Sequence, residues 1–193
     1  MMEKTMSKLV FVEGYDQSLY DMFKEEGYTI VDNILKADLL CLEGGYDVSP
    51  EIYGEENTDS QSSLSHDINT FGLMAIATLM DIPIVGICRG HQALCVHQGG
   101  KLKQHINGHC QWHNLVVDGE LIPVSSSHHQ EAIPYSGVPS EDVYYAEDGV
   151  CEVILYREDY NLGFQPHPEY HQKGHPCWEL FFQLIDEVCF SGY

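Results

Sequence analysis

Ile84-Val85-Gly86-Ile87-Cys88-Arg89-Gly90-His91-Gln92 is the stretch on which the reading of this chain turns. Its first four residues make a buried apolar strand, and a helical stretch runs on to His97, closed by Gly99-Gly100. Between the two stands a thiol with a glycine two residues before it and two residues after it. This G-x-nucleophile-x-G pattern at a strand-to-helix turn is the context of a nucleophile elbow. A side chain pushed out on so tight a turn leaves no room for neighbouring Cβ atoms, and the helix N-terminus favours a thiolate. Cys88 is the candidate nucleophile.

Upstream, Leu9–Val12, Tyr28–Val31 and Leu39–Leu42 read as buried strands, with a helix from Ser18 to Glu26 after the first. Residues 46–63 are polar and form a long loop at the carboxyl edge of the sheet. Asp47 and Tyr53 lie on it. Leu64 to Met80 has Phe71, Met74, Ala75 and Leu79 at helical spacing and leads into the Cys88 strand. Alternating strands and helices imply a parallel sheet covered on both faces, with its site at the carboxyl ends of the strands.

Downstream the segments shorten. Asn114–Val117, Leu121–Val124, Val143–Tyr145 and Val153–Tyr156 read as mixed or antiparallel strands, Leu162–Gln165 as a last inner strand, and Trp178 to Val188 as a closing amphipathic helix. We expect one α/β domain over residues 1–193, with a mostly parallel central sheet and helices on both faces.

A free thiol is only a few per cent ionised at neutral pH, so Cys88 needs a base and the base needs an orienting group. Gln165-Pro166-His167-Pro168-Glu169 supplies both directly after the last strand. Pro168 holds the peptide extended, so that His167 and Glu169 project to one side. A carboxylate there fixes the imidazole tautomer.

Other chemistry is disfavoured. Asp+Glu 30 against Lys+Arg 9 gives a formal charge of −21, which repels nucleic acid and anionic membranes. No apolar run approaches the roughly 20 residues of a membrane span, and the polar Met1–Lys8 lacks the core of a secretory signal. These features predict a cytoplasmic protein. Seven cysteines, mostly single in apolar stretches, argue against a disulfide framework. His105, His109 and His113 recur every four residues around Cys110, but Asn107-Gly108 breaks the helix such spacing needs, and there is no H-E-x-x-H or paired C-x-x-C. His171, His175 and Cys177 read as a loop covering the site. Neither a metal site nor a cofactor is expected.

Gly-Ile-Cys-Arg-Gly-His-Gln followed far downstream by His-Pro-Glu resembles the class I glutamine amidotransferase superfamily, with its flavodoxin-like fold. Residues 44–55, Ser127-His128-His129-Gln130 and Gly149-Val150-Cys151-Glu152 resemble the peptidase C26 branch, which includes γ-glutamyl-γ-aminobutyrate hydrolase. The resemblance implies Cys88 as nucleophile, His167 as base and later acid, and Glu169 as its orienter. It implies an oxyanion hole from the backbone N–H groups of Arg89 and Gly45, with Gln92 on the glutamyl head and the backbone around Ser126 to His128, Ser127 included, lining the α-amino and α-carboxylate end. The chain departs from the branch at His66-Asp67 and Thr70, where Arg-Asp and a Glu are usual, and at Pro166, where an aromatic is usual.

The expected activity is Cys-dependent hydrolysis of a γ-glutamyl amide, a small-molecule substrate, through a γ-glutamyl thioester. One alternative is a glutaminase subunit feeding ammonia to a synthetase partner. Another is a catalytically silent acidic binding or decoy protein, against which the presence of all three triad residues speaks.

Overall fold

The apolar runs around Cys88 become strands whose two faces are both covered by helices. The computed structural model describes residues 7–190, so the first six residues of the polar Met1–Lys8 stretch lie outside the described residues. In chain order these form β1 (Leu9–Val12), α1 (Gln17–Glu25), β2 (Thr29–Ile30), β3 (Leu39–Leu42), α2 (Leu64–Leu79), β4 (Ile84–Ile87), α3 (Arg89–His97) and β5 (Lys101–Lys103). There follow β6 (His113–Val117), β7 (Glu120–Val124), β8 (Glu131–Ile133), β9 (Val143–Ala146), β10 (Cys151–Tyr156), β11 (Asn161–Phe164) and α4 (Pro176–Leu184).

The main sheet runs β2-β1-β3-β4-β11-β10-β9-β6-β7. From β2 to β11 the pairings are parallel, and from β11 to β7 they are antiparallel. β5 and β8 form a separate antiparallel ribbon. Alternate residues of the parallel strands serve opposite layers, as a period of two requires. Val10, Val12, Leu39, Cys41, Val85 and Ile87 pack with α1 and α4, whereas Leu40, Leu42 and Ile84 pack with α2 and α3. This is an α/β fold with helices on both faces, as expected. Pro123, which cannot donate to a ladder, sits in the edge strand β7.

Two local expectations need correction. α2 turns Asp67, Thr70, Met74 and Ala77 inward, so Ala75 is exposed and Leu79 is 83% exposed. The inner face of its first two turns is polar because it receives the Arg89 side chain. The closing helix ends as an α-helix at Leu184 and continues through a π-turn, Ile185–Cys189. Tyr53, on the polar loop, is buried in the α2/α3 core.

The turn after β4 is the most crowded backbone in the fold. A Cβ on Gly86 would collide with the Gly90 carbonyl, and a Cβ on Gly90 with the Leu42 carbonyl of the neighbouring strand. No helix among the described residues is long and apolar enough to cross a membrane. Gly90→Ala is expected to cost about 3 kcal/mol or more through this overpacking. Gly72→Ala, in open space on α2, should instead stabilise by about 0.5–1 kcal/mol through lost chain entropy. Urea unfolding of the two variants against the parent chain checks both signs.

Candidate active site

The elbow holds Cys88 at φ 52°, ψ −108°, outside the regions an ordinary L-residue occupies. Its N–H donates to the Phe164 carbonyl at 3.0 Å, which fixes the turn to the end of β11. The same strand end leads into His167. An added Cβ at Gly44 would lie 3.2 Å from His167 Cε1 and 3.6 Å from Cys88 Cβ, so the two side chains converge beside the turn after β3. Glu43 steadies that turn by accepting from the N–H groups of Tyr15 and Asp16 at 3.1 and 3.2 Å.

His167 Nδ1 and Glu169 Oε1 lie 2.6 Å apart, and both residues are buried. Burial alone lowers the imidazole pKa, but the Cys88 thiol and the Glu169 carboxylate outweigh it and push His167 up to about 10. The His167 N–H donates to the Ser125 carbonyl at 3.1 Å, and its ring stacks on Tyr170 at 4.6 Å. Tyr170 escaped the sequence reading, although an aromatic directly after His-Pro-Glu was there to be noticed. Pro166 is buried at the start of this turn.

Arg89 sends its side chain the other way, into the interior. Its guanidinium donates to Asp67 at 2.5 Å and to the Thr70 hydroxyl at 3.0 Å, and that hydroxyl donates to Glu13 at 2.6 Å. Thr70 thereby relays Arg89 to a carboxylate on the loop after β1, where the resembled branch has a Glu on the helix itself. His66 stands 3.9 Å from the same Glu13 oxygen. The Arg89 backbone N–H opens α3 and has no intrahelical partner.

A cavity of about 300 Å³ beside Cys88 is lined by Gly45, Tyr46, Asp47, Gln61, Cys88, Arg89, Gln92, Ser127, His128 and His129. The structure thus gathers Gly45, Arg89, Gln92, Ser127 and His128 around the thiol. Gln92 donates to Gln165 at 3.1 Å, while Asp47 pairs with His129 at 3.1 Å and accepts from the Gln61 N–H at 2.7 Å. The polar loop carrying Asp47 is itself tethered, since the Gln104 amide bonds the Thr58 N–H at 2.9 Å and the Glu56 carbonyl at 2.7 Å. A larger cavity of about 620 Å³ lies at the amino ends of β4 and β11, among Thr78, His97 and Tyr160. It contains no nucleophile, and ligand crevices in such sheets open at the carboxyl ends.

Cys41, Cys95, Cys151, Cys177 and Cys189 are buried, and burial raises all five thiols. Cys110 is exposed. Iodoacetamide is therefore expected to label Cys88 first and Cys110 at the rate of an ordinary thiol, with the other five protected until unfolding. Peptide mass spectrometry of a labelling time course reads this order, and in His167→Ala the Cys88 rate should fall.

The model of the peptidase C26 family matches residues 22–118. The glutamine amidotransferase-like protein YvdE of Lactococcus lactis is 31% identical, over 91% of this chain and 87% of that protein. A component of the glutamine-hydrolysing GMP synthase of Methanobrevibacter smithii is 30% identical, over 56% of this chain and 63% of its own length. Among solved structures, PurLQS of Thermotoga maritima superposes with a TM-score of 0.68 at 22% identity, over 94% of this chain and 99% of that one, a likeness of fold.

Proposed function

We propose, from the premise that this chain belongs to the peptidase C26 family of class I glutamine amidotransferase-like proteins, that it hydrolyses a γ-glutamyl amide through a Cys88 thioester. One observation carries the reading. Cys88, strained outward at the elbow, meets an imidazole whose far nitrogen is held 2.6 Å from a buried carboxylate. The supporting cavity of about 300 Å³ suits a small glutamyl head group.

In the proposed sequence the Cys88 thiolate attacks the amide carbon, and the developing oxyanion is met by the Arg89 and Gly45 N–H groups. Such donors are typically worth about 3 kcal/mol each. Collapse breaks the C–N bond while the His167 imidazolium protonates the departing amine. His167, now neutral, takes a proton from water as the hydroxide adds to the thioester. The C–S bond then breaks, giving glutamate and restoring the thiolate–imidazolium pair. Glu169 holds the ring and stabilises its charged form. Gln92 and the backbone at Ser127 and His128 bind the glutamyl end. Tyr170 positions His167 by stacking.

A second reading makes the chain a glutaminase subunit that delivers ammonia to a synthetase partner. The exposed apolar residues of α2, Ile68, Ile76 and Leu79, favour it as a surface such a partner could cover. The GMP synthase component found in Methanobrevibacter smithii points the same way.

Glutamate release from glutamine and from a panel of γ-glutamyl amines separates the two. Cys88-dependent turnover of an amine in preference to glutamine supports the stand-alone hydrolase, and turnover that appears only with an added synthetase supports the subunit. No turnover in either setting, despite a reactive Cys88, overturns the proposal. Cys88→Ala should abolish release and His167→Ala should lower kcat by about 10²–10⁴-fold.

The pH profile follows from the raised His167 pKa. A base raised above its ordinary value keeps its proton until pH passes the raised value, so kcat/KM should fall on the alkaline side near pH 10. Glu169→Gln removes one of the two groups that raise it, and the alkaline limb should move to lower pH. An unmoved limb would remove His167 from the acid role.

A further inference from the structure

Away from the thiol, three histidines close on one buried carboxylate. His109 lies in the loop before β6, His113 opens β6, His128 belongs to the segment between β7 and β8, and Glu152 lies on β10. His109 Nδ1, His113 Nε2 and His128 Nε2 stand 3.0, 3.2 and 3.3 Å from Glu152 Oε1. Glu152 is fully buried, and His109 and His128 are 2% and 4% exposed. In none of the three approaches do ring and carboxylate meet as a hydrogen bond, and both Glu152 oxygens are left without a partner.

The far sides of the rings explain what the near sides lack. His109 Nε2 lies 3.0 Å from Asp148, His128 Nδ1 lies 2.7 Å from the Gln130 carbonyl, and His113 Nδ1 lies 3.4 Å from the Gln111 carbonyl. All three outer partners are acceptors, so each outer nitrogen carries the proton. The inner nitrogens of three rings then converge on one carboxylate oxygen, and none of them makes a hydrogen bond to it. A cation among them would give every one of these buried atoms a partner. Outer carboxylates and backbone carbonyls on the remote nitrogens are also the usual orienting partners of metal-bound histidines.

We propose that His109 Nδ1, His128 Nε2 and Glu152 bind one divalent transition-metal ion, zinc being the best fit, with His113 Nε2 beside the same carboxylate oxygen. Metal–nitrogen bonds of about 2.0–2.1 Å in a tetrahedron put neighbouring donor atoms about 3.3 Å apart, close to the three separations seen. Donor atoms of His109, His128 and Glu152 lie within 4.8 Å of one another. Two imidazoles and a carboxylate, with a third imidazole adjacent, suit zinc better than calcium or magnesium, which take oxygen donors. The three donors are buried and none belongs to the Cys88 triad, so the ion is structural.

The sequence reading weighed these histidines only as one face of a helix, and the cluster is built otherwise. His105 and Cys110, which it grouped with His109 and His113, stay outside. His105 instead pairs with Asp59 at 3.0 Å, and the Cys110 thiol faces the His128 carbonyl at 3.6 Å. His128 also lines the cavity beside Cys88, so the ion would hold one wall of the substrate pocket in place without touching the reaction.

The test uses the full chain in a Cys88→Ala background, so that the reactive thiol contributes no metal. Protein stripped with a chelator and dialysed against zinc should retain about one ion per chain by elemental analysis. Zinc should raise its melting temperature by several degrees, and cobalt should give the visible bands of a tetrahedral nitrogen–oxygen site. Glu152→Gln and His109→Ala should each lose the ion, while His105→Ala keeps it. Absence of retained zinc together with a melting temperature indifferent to zinc and chelator would overturn the proposal, as would retention lost only in His105→Ala. Because the parent chain carries these readouts, a variant that fails to fold does not spoil the test.

Discussion

Three stretches of backbone crowd together where β4 ends, and the geometry of the site follows from that crowding. With glycine at 86 and 90, the strand can turn into α3 against Leu42 with no side chain between. Cys88 at the apex is forced to a positive φ, a conformation that costs on the order of 1–3 kcal/mol and persists only when its surroundings over-determine it. The next residue shows how that is done. Arg89 drops into the interior, and its charge is met by Asp67 and, through Thr70, by Glu13. Removing one partner of a buried pair typically costs about 3–5 kcal/mol, at least as much as the strain, so the elbow is pinned from beneath.

The legible parts of this molecule are those in which chemistry and chain order coincide. Val85, Ile87, Leu39 and Cys41 announce their strands because both faces of the sheet are covered and nothing polar interrupts the run. The elbow and His167-Pro168-Glu169 could be read because each is complete within a few consecutive residues. α2 was misphased because Asp67 and Thr70 face inward for the charge of Arg89, which is distant in sequence, leaving Ile68, Ile76 and Leu79 outside. The ribbon of β5 and β8 passed unnoticed because Lys101 and Lys103 flank a single apolar residue. The histidine cluster was illegible for a stronger reason: its four members come from three separate stretches of chain, and only the antiparallel half of the sheet brings them together.

The two halves of the sheet divide the site between them. The parallel half ends at β4 with Cys88, and β11, the strand at the seam, delivers His167 and Glu169 a few residues past its end. The antiparallel half contributes the wall, through Ser127 and His128, and it is tied to the base because the His167 N–H rests on the Ser125 carbonyl. The acidic surface has little part in this arrangement. The side chains that touch the cavity are mostly neutral or paired, as Asp47 is with His129.

The position of β11 also bears on how the molecule is made. Asn161 accepts from the Ile84 N–H across 77 residues of chain, and this strand fills the centre of a sheet whose other parallel members were finished long before. On a ribosome adding about 5–20 residues each second, β4 waits several seconds with an open hydrogen-bonding edge. Throughout that interval the cysteine lacks His167. A stalled or clipped nascent chain is therefore adhesive and chemically mute at once, so insertion of the last strand both seals the sheet and arms the thiol.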